Sequence, residues 1–437
     1  MHRVILAHEK LVEVWPKELY GKRVGAVVHP ASVVPGTLQH LSEVLAAEHT
    51  AWKLTALFGP QHGILGNTQD NMIEWDPADT ARHSSNVFGD SVELYSLYGS
   101  VRKPRPEMMK NVDVVLVDMQ DVGSRYYTFI WTMLLCMQTA AELGLSVVVL
   151  DRPNPIDGVH VEGPLLQPGY ESFVGLLAGL PVRHGMTIGE LALYFCDHDS
   201  IISSHGGLKG RLHVLKMEGY TRAMDYADTG LPWVLPSPNM PTLDTARVYP
   251  GMCLFEALTP SEGRGTTRPF ELLGAPWCDP ARLKHDLDSL SLPGCMWRVC
   301  FFEPVFHKYK GLVCGGVQIY VTDKNTFKPF LAGVALAWAM MRQAPHRVNS
   351  TGWTAEHPEK GTVSFDVLTG KMPEGVFGFK IPPYEYVYDK VPFDILAGSS
   401  ILREQLESGM DPIAIAKTWE ADEESWLESR KPYLLYD

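Results

Sequence analysis

Three observations in the chain predict an α/β fold with a mostly parallel sheet, followed by a smaller α+β domain. Short runs of consecutive apolar residues alternate with helical stretches through the N-terminal half. Two of those runs lead directly into an aspartate, at Asp118 and Asp151. Beyond about residue 230 the chain becomes proline-rich and then mixes strand-like and helix-like segments.

The apolar runs at 24–28 (VGAVV), 54–58, 112–117 (VDVVLV) and 145–150 (LSVVVL) suit strands buried on both faces of a parallel sheet. Residues 128–143 read as a helix that stops at Gly144, so strand, helix and strand make a right-handed βαβ unit. Thr187 and Glu190 form a Thr-x-x-Glu capping box that opens the helix IGELALYF. The segment 230–241, GLPWVLPSPNMP, carries too many prolines for a helix or a central strand. After it, 313–321 is strand-like and 327–342 helical, which places the two domains at 1–232 and 233–437.

A chain of 437 residues is long for one core, and 45% apolar with 20% charged residues is ordinary for a globular protein. The net charge of −13 argues against nucleic acid and anionic membrane surfaces as partners. The first residues lack the apolar core of a secretory signal, and no run is long enough to span a bilayer. Seven cysteines without close pairing read as free thiols in a reducing cytoplasm rather than as a disulfide or zinc framework. No nucleotide loop appears, and no cofactor or bound metal is expected.

Ligands of open α/β sheets bind beyond the carboxyl ends of the strands. That rule gathers Gln61 and His62, residues 118–121 and residues 151–154 into one crevice. In the first cluster, GPQHGILGNTQDNMIEW, glycines allow close backbone approach, His62 is a candidate proton carrier, and Glu74 beside Trp75 is a carboxyl that burial would make more basic. In the second, Asp118, Asp121, Arg125 and Tyr126 combine carboxylates, a guanidinium and an aromatic face, as a sugar site requires. Both aspartates also fit a salt-bridged turn. Arg152 and Asn154 follow a strand between prolines, and His184 precedes the capped helix. Asn239, Glu262 and Arg264 lie in PSPNMPT and SEGRGTTRPF, where Arg264 between two glycines is placed to clamp a substrate carboxylate.

Taken in order, DMQDVGSRYYT, LDRPNP, RHGMTIGEL, PSPNMPT and SEGRGTTRPF resemble the bacterial exo-β-N-acetylmuramidases of cell-wall recycling, over nearly the whole chain. The resemblance implies a Rossmann-like N-terminal domain, a smaller C-terminal domain and an active cleft between them. It also implies removal of terminal N-acetylmuramic acid from the non-reducing end of peptidoglycan fragments. Arg125, Arg152 and Arg264 are then candidates to hold the lactyl carboxylate.

Position 61 departs from the family. Relatives carry a glutamate in Pro-Glu-His-Gly where this chain has Pro60-Gln61-His62-Gly63. An amide neither donates nor accepts a proton near neutral pH, and loss of a general acid costs ~10²–10⁴-fold in rate. The His29-Pro30 turn is a second departure. Three accounts follow: a neighbouring carboxyl (Glu74, Asp118 or Asp121) takes over while Gln61 binds the sugar; the substrate has shifted; or the protein binds muropeptide sugars without cutting them. A metal-assisted hydrolase using His29, His62 and His184 is a further alternative. Retention or inversion at the anomeric carbon, and oligomeric state, are left open by the sequence.

Overall fold

The computed structural model describes residues 3–47, 49–69, 76–78, 92–348 and 376–437. Strands β1 (Lys22–Val27), β2 (Trp52–Gly59), β3 (Glu93–Ser96), β4 (Val114–Val117), β5 (Ser146–Leu150) and β6 (Leu212–Leu215) form one sheet. Their order is β3-β2-β1-β4-β5-β6, and every neighbouring pair is parallel. The direction of winding reverses between β1 and β4, as in doubly wound dinucleotide-fold sheets.

The apolar runs became strands because both faces of the sheet are covered. Val115, Val117, Val147 and Val149 enter one buried cluster, while Val114, Leu116, Val148 and Leu150 enter another on the opposite face. The run at 112–117 starts as strand only at Val114, since the Asp113 carboxylate pairs with Arg23 at 2.8 Å just before it. Edge strands β3 and β6 were not anticipated. Most of their residues are only half-buried, so they lack a continuous apolar run.

Helix α1 (Phe129–Leu143) crosses from β4 to β5 and ends at Gly144 in the left-handed conformation, φ 70°. Helix α2 (Ile188–His198) opens with the expected box: Thr187 N donates to Glu190 Oε2 at 3.0 Å, and Glu190 N to Thr187 Oγ1 at 3.2 Å. The proline-rich segment holds no regular element, and α3 (Leu243–Met252) follows it.

Further on, β7 (Leu272–Ala275), β8 (Cys295–Phe302) and β9 (Cys314–Val321) make an antiparallel sheet in the order β7-β9-β8, accompanied by α4 (Pro329–Gln343). Helices α3 and α4 meet at two glycines. A Cβ on Gly251 would lie 1.8 Å from the Pro329 carbonyl oxygen, and one on Gly333 2.3 Å from that of Gly251. One buried cluster is continuous from Val117 and Trp131 beneath the parallel sheet to Leu273, Phe330 and Trp426. The two sheets are thereby fixed relative to each other, and the loops between them form the site.

Candidate active site

A small cavity lies where the loop after β2, the start of α1 and three C-terminal loops meet. Gln61 and His62 line it from the first, Tyr126, Tyr127 and Thr128 from the second. Asn239, Glu256, Arg264, Tyr384 and Glu385 complete its polar wall.

The environment of Gln61 is a directed hydrogen-bond chain. Thr128 stands at the N-terminus of α1, yet its hydroxyl makes no cap. It donates instead to Gln61 Oε1 at 2.7 Å. Gln61 Nε2 donates to the Tyr98 hydroxyl at 3.0 Å, and that hydroxyl donates to the two oxygens of Glu385 at 3.2 and 3.3 Å. All four residues are buried. Because the Tyr98 oxygen receives the amide hydrogen, its own proton is free to face the carboxyl group.

Glu385 is the carboxyl that sequence reasoning missed. It sits in a tight turn closed by the paired backbone bonds of Tyr384 and Val387, at 3.0 and 2.9 Å. Glu385 and Tyr386 both have positive φ, 42° and 67°, a conformation that costs a side-chain-bearing residue roughly 1–2 kcal/mol. Burial raises the Glu385 pKa, the negative charge of Glu256 adds to this, and the result is about 8 despite the Tyr98 bond and Arg102. Glu385 is therefore protonated at neutral pH. The one local sign of this was a glutamate between two tyrosines in PPYEYVYD.

Glu256 was missed as well, and its environment is the opposite. Burial pushes its pKa up, but the Arg264 guanidinium at 2.5 Å and the Tyr384 hydroxyl at 2.8 Å more than offset this, so it is held below the ordinary glutamate value. The cavity thus holds one neutral and one ionised carboxyl group. Two carboxyls pushed apart in this way can act as acid and as electrostatic partner.

Of the other expected residues, His62, Tyr126, Asn239 and Arg264 line the cavity. His62 donates from Nδ1 to the Thr68 carbonyl at 2.6 Å, and burial lowers its pKa to about 4, so the ring is neutral with Nε2 an acceptor. The Tyr126 hydroxyl is bonded to the Pro250 carbonyl, and its ring makes a T-shaped contact with Tyr249, centroids 6.0 Å apart. Asn239 Nδ2 and Arg264 Nη1 both donate to the Gln69 carbonyl, at 3.1 and 3.4 Å.

The remaining residues frame the site rather than line it. Asp118 is fully buried, bonded by Arg152 Nε at 2.6 Å and by His8 Nε2 at 2.8 Å. Burial disfavours its charge, but Arg152 and His8 overcome that and hold it far below the usual carboxylate range. An acid fixed as its anion cannot donate a proton, so Asp118 does not suit the replacement role expected for it. Asp121 accepts from Gly123 N at 2.8 Å and lies 3.1 Å from His184 Nε2, which orders the turn before α1.

Arg125 is spent on backbone, donating to the Pro164, Leu180 and Leu396 carbonyls at 2.9, 2.7 and 2.7 Å. Asn154 bridges Met186 O and Ile156 N, at 3.0 and 3.1 Å. Glu262 lies 2.7 Å from Lys308 Nζ and 3.2 Å from His307, with no exposed surface. Of the three arginines expected to hold a substrate carboxylate, only Arg264 reaches the cavity lining. Glu74 lies outside the described residues.

Among the described residues no group of three or more histidines, cysteines or acidic residues is gathered to hold a metal ion. His29 bonds Ser32 Oγ and Gln120 N, at 3.0 and 3.1 Å, away from the cavity lining. No helix among the described residues is long and apolar enough to cross a membrane.

Residues 24–244 match the family model for the N-terminal part of the exo-beta-N-acetylmuramidase NamZ, and residues 247–436 the model for its C-terminal part. The chain is 40% identical over 431 residues to the peptidoglycan beta-N-acetylmuramidase NamZ of Bacillus subtilis (strain 168), covering 98% of this chain and 90% of that protein. Crystal structures of two DUF1343 family proteins from Bacteroides fragilis superpose over 100% of this chain and 99% of theirs. Their TM-scores are 0.78 and 0.69, at 31% and 27% identity. The chain belongs to the NamZ exo-β-N-acetylmuramidase family.

Proposed function

We propose that the protein is a glycoside hydrolase that releases terminal N-acetylmuramic acid from the non-reducing end of peptidoglycan fragments, with Glu385 as its general acid. The observation that carries this reading is the protonated Glu385 in the same cavity wall as the ionised Glu256. Glycoside hydrolysis needs a proton on the leaving oxygen and negative charge near an oxocarbenium-like sugar. Glu385 supplies the first, and Glu256, held by Arg264 and Tyr384, supplies the second. Thr128, Gln61 and Tyr98 keep the Glu385 carboxyl in place, so Gln61 is a positioning residue.

Tyr126 and Tyr127 offer ring faces to the sugar, and His62 and Asn239 offer polar contacts. Seven free cysteines fit a reducing compartment, which favours a cytoplasmic role on imported fragments. The cleft between the two proposed domains, 1–232 and 233–437, is the reaction chamber. A chromogenic β-N-acetylmuramide tests the reading directly. Turnover is expected, and Glu385→Gln should lose it with the fold intact. Tight sugar binding with no turnover would establish the non-catalytic alternative that Gln61 suggests.

A further inference from the structure

Glu385 also lines a second, larger and more open depression. Its other walls include Arg102, Lys103, Arg105, Phe173 and Tyr386. The Arg102 guanidinium carbon lies 3.8 Å from the Tyr386 ring centroid and 5.9 Å from that of Phe173. Lys103 is paired with Glu142 at 2.6 Å, so Arg102 and Arg105 face the groove against Glu171, with Glu385 kept neutral by burial. In a chain of net charge −13 this is a local reversal of sign.

We propose that this groove binds the leaving-group side of the substrate through a carboxylate carried beyond the terminal sugar. The inference rests on the glycosidase reading, because a general acid must touch the oxygen that joins the terminal sugar to the rest. Glu385 lines both spaces, so a sugar in the first cavity directs its remainder into the second. A neutral aglycone needs only the aromatic faces of Phe173 and Tyr386. The cations add recognition of an anion, and Arg102, stacked on Tyr386, presents its guanidinium at low entropic cost. Two parts of a peptidoglycan fragment carry such a carboxylate: the lactyl group of a further muramic residue, and a peptide stem.

The test compares the wild-type protein with the Arg102→Gln/Arg105→Gln double variant. The substrates are a chromogenic muramide, a muramyl-glucosaminyl disaccharide, its peptide-free tetrasaccharide, and the tetrasaccharide bearing a peptide stem on its inner muramic residue. KM should rise roughly fivefold more for a carboxylate-extended substrate than for the chromogenic one, as expected for two partly exposed charges. The excess should shrink in high salt. A selective rise with the peptide-free tetrasaccharide identifies the lactyl source, and one confined to the stem-bearing tetrasaccharide the peptide. An equal change for all four substrates would overturn the groove. If the wild type turns over none of them, the glycosidase reading fails on its own. Calorimetric titration with the peptide-free and stem-bearing tetrasaccharides then decides the groove: weaker binding of either by the double variant supports it, and unchanged binding of both refutes it.

Discussion

The Gln61 side-chain nitrogen donates to the Tyr98 hydroxyl at 3.0 Å, and this bond sets the direction of every hydrogen between Thr128 and Glu385. The amide at position 61 is therefore a donor where a carboxylate would be an acceptor. A glutamate at 61 would accept from both Thr128 and Tyr98, drawing the tyrosine proton away from Glu385. Loss of that bond would raise the Glu385 pKa further, because the Tyr98 hydroxyl favours the ionised carboxylate.

Glu385→Gln should lower kcat on a chromogenic muramide by ~10²–10⁴-fold, the usual contribution of a general acid. The substitution preserves shape and neutrality, so the melting temperature should change little. Steady-state kinetics alongside a thermal melt check it, and retained activity would remove Glu385 from the acid role.

Activity should fall on the alkaline side as pH rises through about 8, since the acid works only while protonated. Tyr98→Phe removes a hydrogen bond that lowers this pKa. The alkaline limb of its pH–rate profile should move to higher pH. A limb that stays in place, or moves down, contradicts the hydrogen-bond chain.

Gln61→Glu places a carboxyl group beside Tyr98. Its activity should remain dependent on Glu385, so the Gln61→Glu/Glu385→Gln double variant should be as slow as Glu385→Gln alone. Recovery of more than tenfold in the double variant would mean that position 61 can serve as the acid in this fold.

Asp118→Asn should act on stability. It leaves Arg152 and His8 in a buried site without their anion, a change that costs about 3–5 kcal/mol. In the wild type, the Asp118 pKa lies below its unfolded value, so its contribution is complete above the ordinary carboxylate range and is lost as pH falls. Denaturant melts at pH 7 and pH 3 should show a large gap between wild type and variant at pH 7 and a smaller one at pH 3.

Gly251→Ala should destabilise the protein by about 1–3 kcal/mol or more, because the added methyl meets the Pro329 carbonyl. The same shift moves Tyr249 in the cavity wall and Pro250, the acceptor for Tyr126. Turnover per folded molecule should fall with the melting temperature, which parallel assays and melts would reveal.

The sequence by itself determined the parallel sheet, the crossover helix α1 and the capped start of α2. These depend on local information: apolar runs, a glycine stop and a Thr-x-x-Glu box are read within a dozen residues. It also marked His62, Tyr126, Asn239 and Arg264, because loop motifs after strands carry their own polar pattern. The edge strands escaped because partial burial leaves no apolar run.

Only the tertiary structure decided the chemistry. Asp118 and Arg125 look like ligand contacts in the sequence, but packing encloses them, and a buried charge must take a partner or a backbone carbonyl. Glu385 looks like an ordinary glutamate 324 positions beyond Gln61, which is the difference between 385 and 61. Its acidity is set by exclusion from water and by the charge of Glu256, and both exist only once the loops from the two halves of the chain close on each other.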